Sequence, residues 1–302
     1  MDLTNHSDDD HACCIPSSQT DCAAPSLISV VVATFNADKT LGRCIDSVAR
    51  QSYPHKELIV IDGGSSDGTV ETLKANADKI AYWISEPDRG IYHAWNKALV
   101  QAHGDWICFL GADDYLWDSR VLEEMAPHLS QALSETRVVY GQVALVNESG
   151  TELDRFGKPW LEIRHSFMTG KALNIHQAMF HHRSLFKVRG KFDESFRIAG
   201  DYDLLLRELR DGQAVFVPCL VTAMQHGGIS SNPASKMNTI REIMKAMRNN
   251  GLKPPMSLHA AWIRAVAHAW LYRIAGKGVS GGVADGYRSL TGKTRLWTST
   301  GK

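Results

Sequence analysis

Between residues 27 and 114 the chain alternates short uncharged β-rich runs with amphipathic helical stretches, and no other feature narrows the fold as much. The run Leu27 to Ala33, LISVVVA, has the composition of a strand covered on both faces. Leu41, Ile45 and Val48 then recur at helical spacing until Tyr53-Pro54 breaks the pattern. A second strand, Glu57 to Ile61, runs into the turn Asp62-Gly-Gly-Ser-Ser-Asp67-Gly, where Asp67 can cap a helix from Gly68 to Ala75. A third strand over 80–84 leads into the loop Glu86 to Gly90. Ile91, Trp95, Ala98 and Ala102 then mark another helical face, and the strand Trp106 to Leu110 ends in Gly111-Ala-Asp-Asp114. Strand and helix in such short alternation specify an open parallel sheet with right-handed crossovers. Ligands of these sheets sit at the carboxyl ends of the strands. That rim collects Thr34, Asn36, Asp62, Glu86, Asp88, Asp113 and Asp114.

The second half is less regular. Val138 to Val146 reads as a strand, Asn174 to His182 as another, Asp201 to Arg210 as a helix and Val215 to Val217 as a strand. Met224 to Ser231 reads as a Gly-rich loop, and the pattern turns helical from Lys236. The expected organisation is an acidic disordered tail over 1–26, a catalytic domain over 27–232 and a basic helical extension over 233–302 with a mobile end. Residues 1–26 carry five acids and no Lys or Arg, whereas 251–302 carry eight Lys or Arg and one acid. The whole chain nets zero charge, which disfavours a nucleic-acid partner. No signal-peptide pattern opens the chain and no apolar run reaches membrane-spanning length, so the expectation is a cytoplasmic protein. The six cysteines show no zinc-type spacing and read as reduced core residues.

The rim carries carboxylates where other folds of this class carry glycine. The turn Ala33 to Asp38 lacks the G-x-G-x-x-G of a dinucleotide site, and no Walker loop exists. Carboxylates repel a diphosphate unless a divalent cation lies between them. Mg2+ or Mn2+ accepts one or two protein carboxylates together with phosphate oxygens, which suits Asp113 and Asp114.

Five segments then carry a resemblance: Ser29 to Asn36, Ile59 to Thr69, Glu86 to Tyr92 with Asn96-Lys97, Phe109 to Asp114, and Gly200 to Asp203. In that order they resemble family 2 glycosyltransferases with the GT-A fold, more narrowly bacterial members that build capsule, O-antigen or exopolysaccharide. The resemblance covers residues 27–231. It implies a Rossmann-like, open, mostly parallel α/β sheet flanked by helices. It also implies an inverting transferase that moves a sugar from a UDP-linked donor to a hydroxyl of a glycan or lipid-linked acceptor. By the same resemblance, Thr34 and Asp62 hold the uracil and ribose, Asp88 is a further nucleoside contact, and Asn96 and Lys97 belong to the donor-binding set. Asp113 matches the last acid of the metal motif, with Asp114 and His226 beside the metal or diphosphate. Asp201 falls at the general base. Gly111 and Gly200 stand where the family usually has acids.

Simpler readings exist for several of these residues. Asp62 can be a turn former, and Asp201 can be an N-cap with Asp203 in the first turn. His176 and Gln177, with Asp203, are the acceptor-side candidates, although a His on a strand packs as often as it binds. Two rival functions stay open. A sugar nucleotidyltransferase would need a Gly-rich basic loop after the first strand, which Ala33 to Lys39 does not supply. A degenerate nucleotide-sugar or glycan-binding domain would account for the two missing acids. The segment Ala260 to Ala275, with Trp262, Val266 and Trp270 among Arg264 and Arg273, can lie peripherally on an anionic membrane or pack on the catalytic domain.

Overall fold

The computed structural model describes residues 25–132, 136–171, 175–225 and 233–267. The first half follows the expected alternation: β1 (Ile28–Thr34), α1 (Asp38–Ala49), β2 (Lys56–Asp62), α2 (Thr69–Ala75), β3 (Tyr82–Ser85), α3 (Ile91–Gln101) and β4 (Trp106–Gly111). Then come β5 (Tyr115–Leu116), α4 (Val121–Gln131), β6 (Val138–Val146), β7 (Glu152–Phe156) and α5 (Trp160–Met168). The series closes with β8 (Met179–His182), α6 (Arg183–Arg189), α7 (Gly200–Leu209), β9 (Val215–Gln225) and α8 (Pro233–Asn249). A last described helical stretch covers 256–267.

Among the described residues nine strands form one open sheet, in the order β3-β2-β1-β4-β8-β6-β9-β5 with β7 beside β6. β3, β2, β1 and β4 are parallel throughout. β8 joins this half antiparallel to β4, and β6 runs parallel to β9. β1 is buried along nearly its whole length because helices cover both faces, which is why its sequence is apolar without alternation. α1 buries Leu41, Cys44, Ile45 and Val48 against the sheet, and α3 buries Tyr92, Ala94, Trp95 and Ala98. Cys44, Cys108 and Cys219 are free thiols in the core. Thr34 pairs with Asp62, Asp62 with Ser85, and Ala33 with Gly111, so four strands end on one rim.

Two elements differ from the sequence reading. The strand expected over 174–182 is shorter: only Met179–His182 pairs, and His176–Ala178 forms a 3-10 turn that drives His176 into the core. β9 runs on to Gln225, so Met224 is in the strand and not in a loop. Pro218 within it lies where the β6–β9 register slips between Tyr140 and Gln142, a place where a residue without an N–H is tolerated. α4 to α6 with β5 and β7 fill segments that show no clear period.

α8 is packed, with Ile243, Ala246 and Met247 in the main core. Ala265 of the helical stretch over 256–267 in turn packs on Ile240 and Met244 of α8. Trp262 and Ile263 face outward. Among the described residues no helix is long and apolar enough to cross a membrane.

Candidate active site

The loops after β1 and β2 are stitched to one another. Gly63 N–H donates to the Thr34 carbonyl at 2.9 Å, and Ala37 N–H to Thr69 Oγ1 at 2.8 Å. Asn36 has a left-handed backbone, φ +50°, and its side chain accepts from the Ser66 amide. Asp67 accepts from the first amide of both α2 (Thr69, 3.0 Å) and α1 (Asp38, 3.3 Å), so its capping role extends to two helices.

Asp62 is fully enclosed. Its Oδ2 accepts from the amides of Gly64 and Ser65 and from Ser85 Oγ at 2.6 Å, while Oδ1 accepts from Ser65 Oγ. Both oxygens accept hydrogen bonds from within the loop, so this carboxylate shapes the turn after β2. The half-buried carboxylate of Asp88 stands in the same corner. Its Oδ1 accepts from the Gly90 amide at 2.8 Å, and its Oδ2 would lie 2.7 Å from a Cβ at Gly63. The same point is 3.4 Å from the ring of Phe35, which is 63% exposed. An open aromatic face beside a carboxylate is suited to a nucleobase. Phe35 was part of a recognised motif, but exposure of its ring is visible only in three dimensions. Thr34 Oγ1 is buried next door and has no partner among the described residues.

At the end of β4, Asp113 and Asp114 fold back over Gly111. A Cβ at Gly111 would sit 2.6 Å from Asp114 Oδ2 and 2.9 Å from Asp113 Oδ1. The glycine therefore makes room for two carboxylates to converge. Burial, and then the charge of Asp113, push the Asp114 carboxyl well up, against the amides of Gln225 and Gly111 and the Arg43 guanidinium. A pair strained in this way is a fitting cradle for a divalent cation. Among the described residues no third His, Cys, Asp or Glu joins it. His226 lies outside them. Arg43, which sequence reasoning missed, donates to the Asp113 carbonyl at 3.1 Å and to Gln225 Oε1, and lies 4.3 Å over the Tyr115 ring.

Asp201 stands in the first turn of α7, partly buried. Tyr92, at the start of α3 just beyond the 86–90 loop, donates its hydroxyl to Asp201 Oδ1 at 3.3 Å. This contact brings α7 to the rim. Burial pushes the Asp201 carboxyl up to about 6; the Tyr92 hydrogen bond opposes the shift and the charge of Glu242 adds to it. Asp203, two residues on, is buried against Arg207 (3.1 Å) and Asn250 (3.0 Å) between α7 and α8. It does not reach the rim.

Of the remaining candidates, His176, Gln177 and Asn96 are engaged elsewhere, and Lys97 contacts the rim residue Glu86. His176 stacks with Trp95 (5.2 Å) and Phe109 (5.9 Å), and burial pushes its imidazole down to about 4, so it is a neutral core residue and not an acceptor ligand. Gln177 is half-buried with its amide directed at Met224 Sδ. Asn96 exchanges hydrogen bonds with the backbone of Phe192 and also binds Glu194, tying α3 to the segment that leads into α7. Lys97 pairs with Glu86 at 2.8 Å and braces the 86–88 loop.

The sheet has the GT-A architecture, with a carboxylate pair after β4 and a further carboxylate on a later helix. The comparisons agree. The family model "Glycosyl transferase family 2" matches residues 29–190, and the chain belongs to that family. A PGL/p-HBAD biosynthesis glycosyltransferase of Mycobacterium bovis is 28% identical over 266 residues, covering 83% of this chain and 96% of that protein. The structure of S. aureus TarS 1–349 in complex with UDP-GlcNAc superposes with a TM-score of 0.58 at 18% identity, over 80% of this chain and 71% of that one. The chain spans 43% of the longer TarS structure. Mannosyltransferase PcManGT from Pyrobaculum calidifontis, in complex with GDP-Man and Mn2+, gives 0.58 at 18%, over 89% and 83%.

Proposed function

We propose that this glycosyltransferase inverts the anomeric centre of a UDP-linked sugar and transfers it to a hydroxyl of a glycan or lipid-linked acceptor in surface polysaccharide synthesis. The observation that carries the proposal is the Tyr92–Asp201 contact, which sets a carboxylate of raised pKa beside the donor loops. Asp201 then takes the proton of the acceptor hydroxyl as its oxygen attacks the anomeric carbon, and the nucleoside diphosphate departs on the opposite face. A carboxyl of pKa about 6 is ionised at neutral pH yet basic enough to accept a proton. Phe35 offers its ring and Asp88 its carboxylate to the base, with Thr34 Oγ1 within the same corner.

Asp113 and Asp114, with His226 as a further candidate, would hold Mg2+ or Mn2+, which supplies charge stabilisation for the departing diphosphate. The Mn2+ complex of the mannosyltransferase neighbour supports this assignment. The UDP-GlcNAc complex of TarS supports a UDP donor. A lipid-linked acceptor would place the protein at the inner face of the membrane. The outward Trp262 and Ile263 beside Arg264 support docking there.

The experiment is a thermal-shift panel of nucleotides and nucleotide sugars with and without Mn2+, followed by nucleotide release from the best donor. Mn2+-dependent binding of UDP with release of UDP from a UDP-sugar is the expected result. Binding without turnover would favour a degenerate nucleotide-sugar-binding domain. Release of pyrophosphate from UTP and a sugar phosphate would make the chain a nucleotidyltransferase.

A further inference from the structure

Asp201 and Glu242 both lie beyond residues 29–190, the part of the chain that the family model matches. α7 begins without a cap of its own: Ala199, its N-cap residue, has no side chain that could accept a hydrogen bond. Glu242 of α8 instead holds the backbone that leads into the helix. Its Oε2 accepts from three successive amides, Arg197 at 3.1 Å, Ile198 at 2.8 Å and Ala199 at 2.9 Å, and its Oε1 accepts a second time from Arg197. The carboxylate is 8% exposed. A buried carboxylate that accepts from three successive amides fixes the backbone entering the first turn of α7.

Two further contacts from α8 and its C-terminal end fall on the same stretch. Lys245 donates to Ser195 Oγ at 2.7 Å, and Asn250 donates to Asp203 Oδ1 at 3.0 Å. From the opposite side Arg89 pairs with Glu194, and Asn96 binds Phe192. The segment 192–203 is thus clamped between α3 and α8, with Asp201 near its end.

We propose that Glu242 is a positioning residue for Asp201, so that the C-terminal extension is part of the catalytic apparatus. The proposal rests on the reading of Asp201 as the base. Releasing three amides lets the first turn of α7 shift, and the 3.3 Å contact between Tyr92 and Asp201 leaves little margin. A displacement of about 1 Å in a reacting group can cost on the order of 10²-fold in rate. Glu242 makes no hydrogen bond to Phe35, Asp88 or Asp113 themselves; the link to the donor side is the Arg197 side chain, which donates to the Arg89 carbonyl, so the expected change in donor KM is small beside that in kcat.

The test uses the full chain with Mn2+ and UDP-N-acetylglucosamine, or another UDP-sugar where that one does not turn over, and follows UDP release. Folding is checked by circular dichroism. Glu242→Ala is expected to lower kcat at least about tenfold while the donor KM stays within about twofold. Glu242→Gln should recover part of the loss, because its amide oxygen still accepts. In the Asp201→Asn background, Glu242→Ala should lower kcat no further, since the residue acts through the base. If Glu242→Ala leaves kcat unchanged while Asp201→Asn abolishes it, the positioning role is wrong and the base reading stands. If Glu242→Ala lowers the residual rate of Asp201→Asn by the same factor as wild type, the effect is general and the role is again wrong. Wild-type turnover by Asp201→Asn would remove the base reading, and this inference with it. Should Glu242→Ala not fold, Glu242→Gln decides: reduced kcat at constant KM supports the role, and wild-type kcat overturns it.

Discussion

The ring of Tyr92 lies flat against the backbone of Gly200: a Cβ there would come within 2.8 Å of it. The glycine that replaces an expected acid is thus what lets the tyrosine reach across and donate to Asp201. Tyr92→Phe keeps the packing and deletes a hydrogen bond that favours the charged carboxylate. The acidic limb of the kcat–pH profile, set by Asp201 at about 6, should therefore move to higher pH, with donor KM unchanged. An unmoved limb would mean that the hydroxyl does not act on the base.

Gly111 has the corresponding place at the other carboxylate cluster. Gly111→Ala puts a methyl within 2.6 Å of Asp114 Oδ2, so the two carboxylates must separate. The expected outcome is a folded protein in which Mn2+ no longer strengthens UDP binding. Titration of UDP with and without Mn2+ checks it; a wild-type response to the ion would show that convergence over Gly111 is not what holds the metal.

The donor corner separates two acids. Phe35→Ala should weaken UDP binding by about 1–3 kcal/mol, the usual worth of a base on an aromatic face. Asp62→Ala strands the loop amides it now satisfies, so it should lower the melting temperature before it touches base preference. If Asp62→Ala instead abolishes discrimination between UDP and CDP at unchanged stability, Asp62 faces the base after all.

Asp203 is predicted to matter for folding. Removing its charge with Asp203→Asn weakens the bond to Arg207 and should cost about 1–3 kcal/mol in a denaturant melt, with kcat of the folded protein within a few-fold of wild type.

The donor half of the fold was legible because each strand from β1 to β4 is a short apolar run ended by turn residues, and because parallel pairing brings those ends together. Asp113 and Asp201 could be located from motif order. A turn-forming aspartate and a ligand-facing one share the same sequence signature, and the four donors around Asp62 are visible only in three dimensions. His176 and Asp203 looked functional for their chemistry, yet their neighbours are aromatic rings and an arginine. β9 runs eight residues past the Val215 to Val217 reading, and its Pro218 is accommodated by a register slip against β6. Glu242 gave no signal at all, since a glutamate on an amphipathic helix is ordinary until its three amide partners are seen.

The central claim is that Asp201 is the base, and Asp201→Asn tests it twice over. The wild-type carboxyl is raised from 3.8 to about 6 on folding, so the native state holds the proton more tightly than the unfolded chain. Its stabilising contribution is present at low pH and lost as pH rises through about 6. Asparagine avoids that loss, so the variant should melt above wild type at pH 7.5 and by a smaller margin at pH 4.5. In the same preparation UDP binding should be unchanged and sugar transfer should fall by at least about 10²-fold. Transfer at the wild-type rate by this folded, UDP-binding variant would contradict the account.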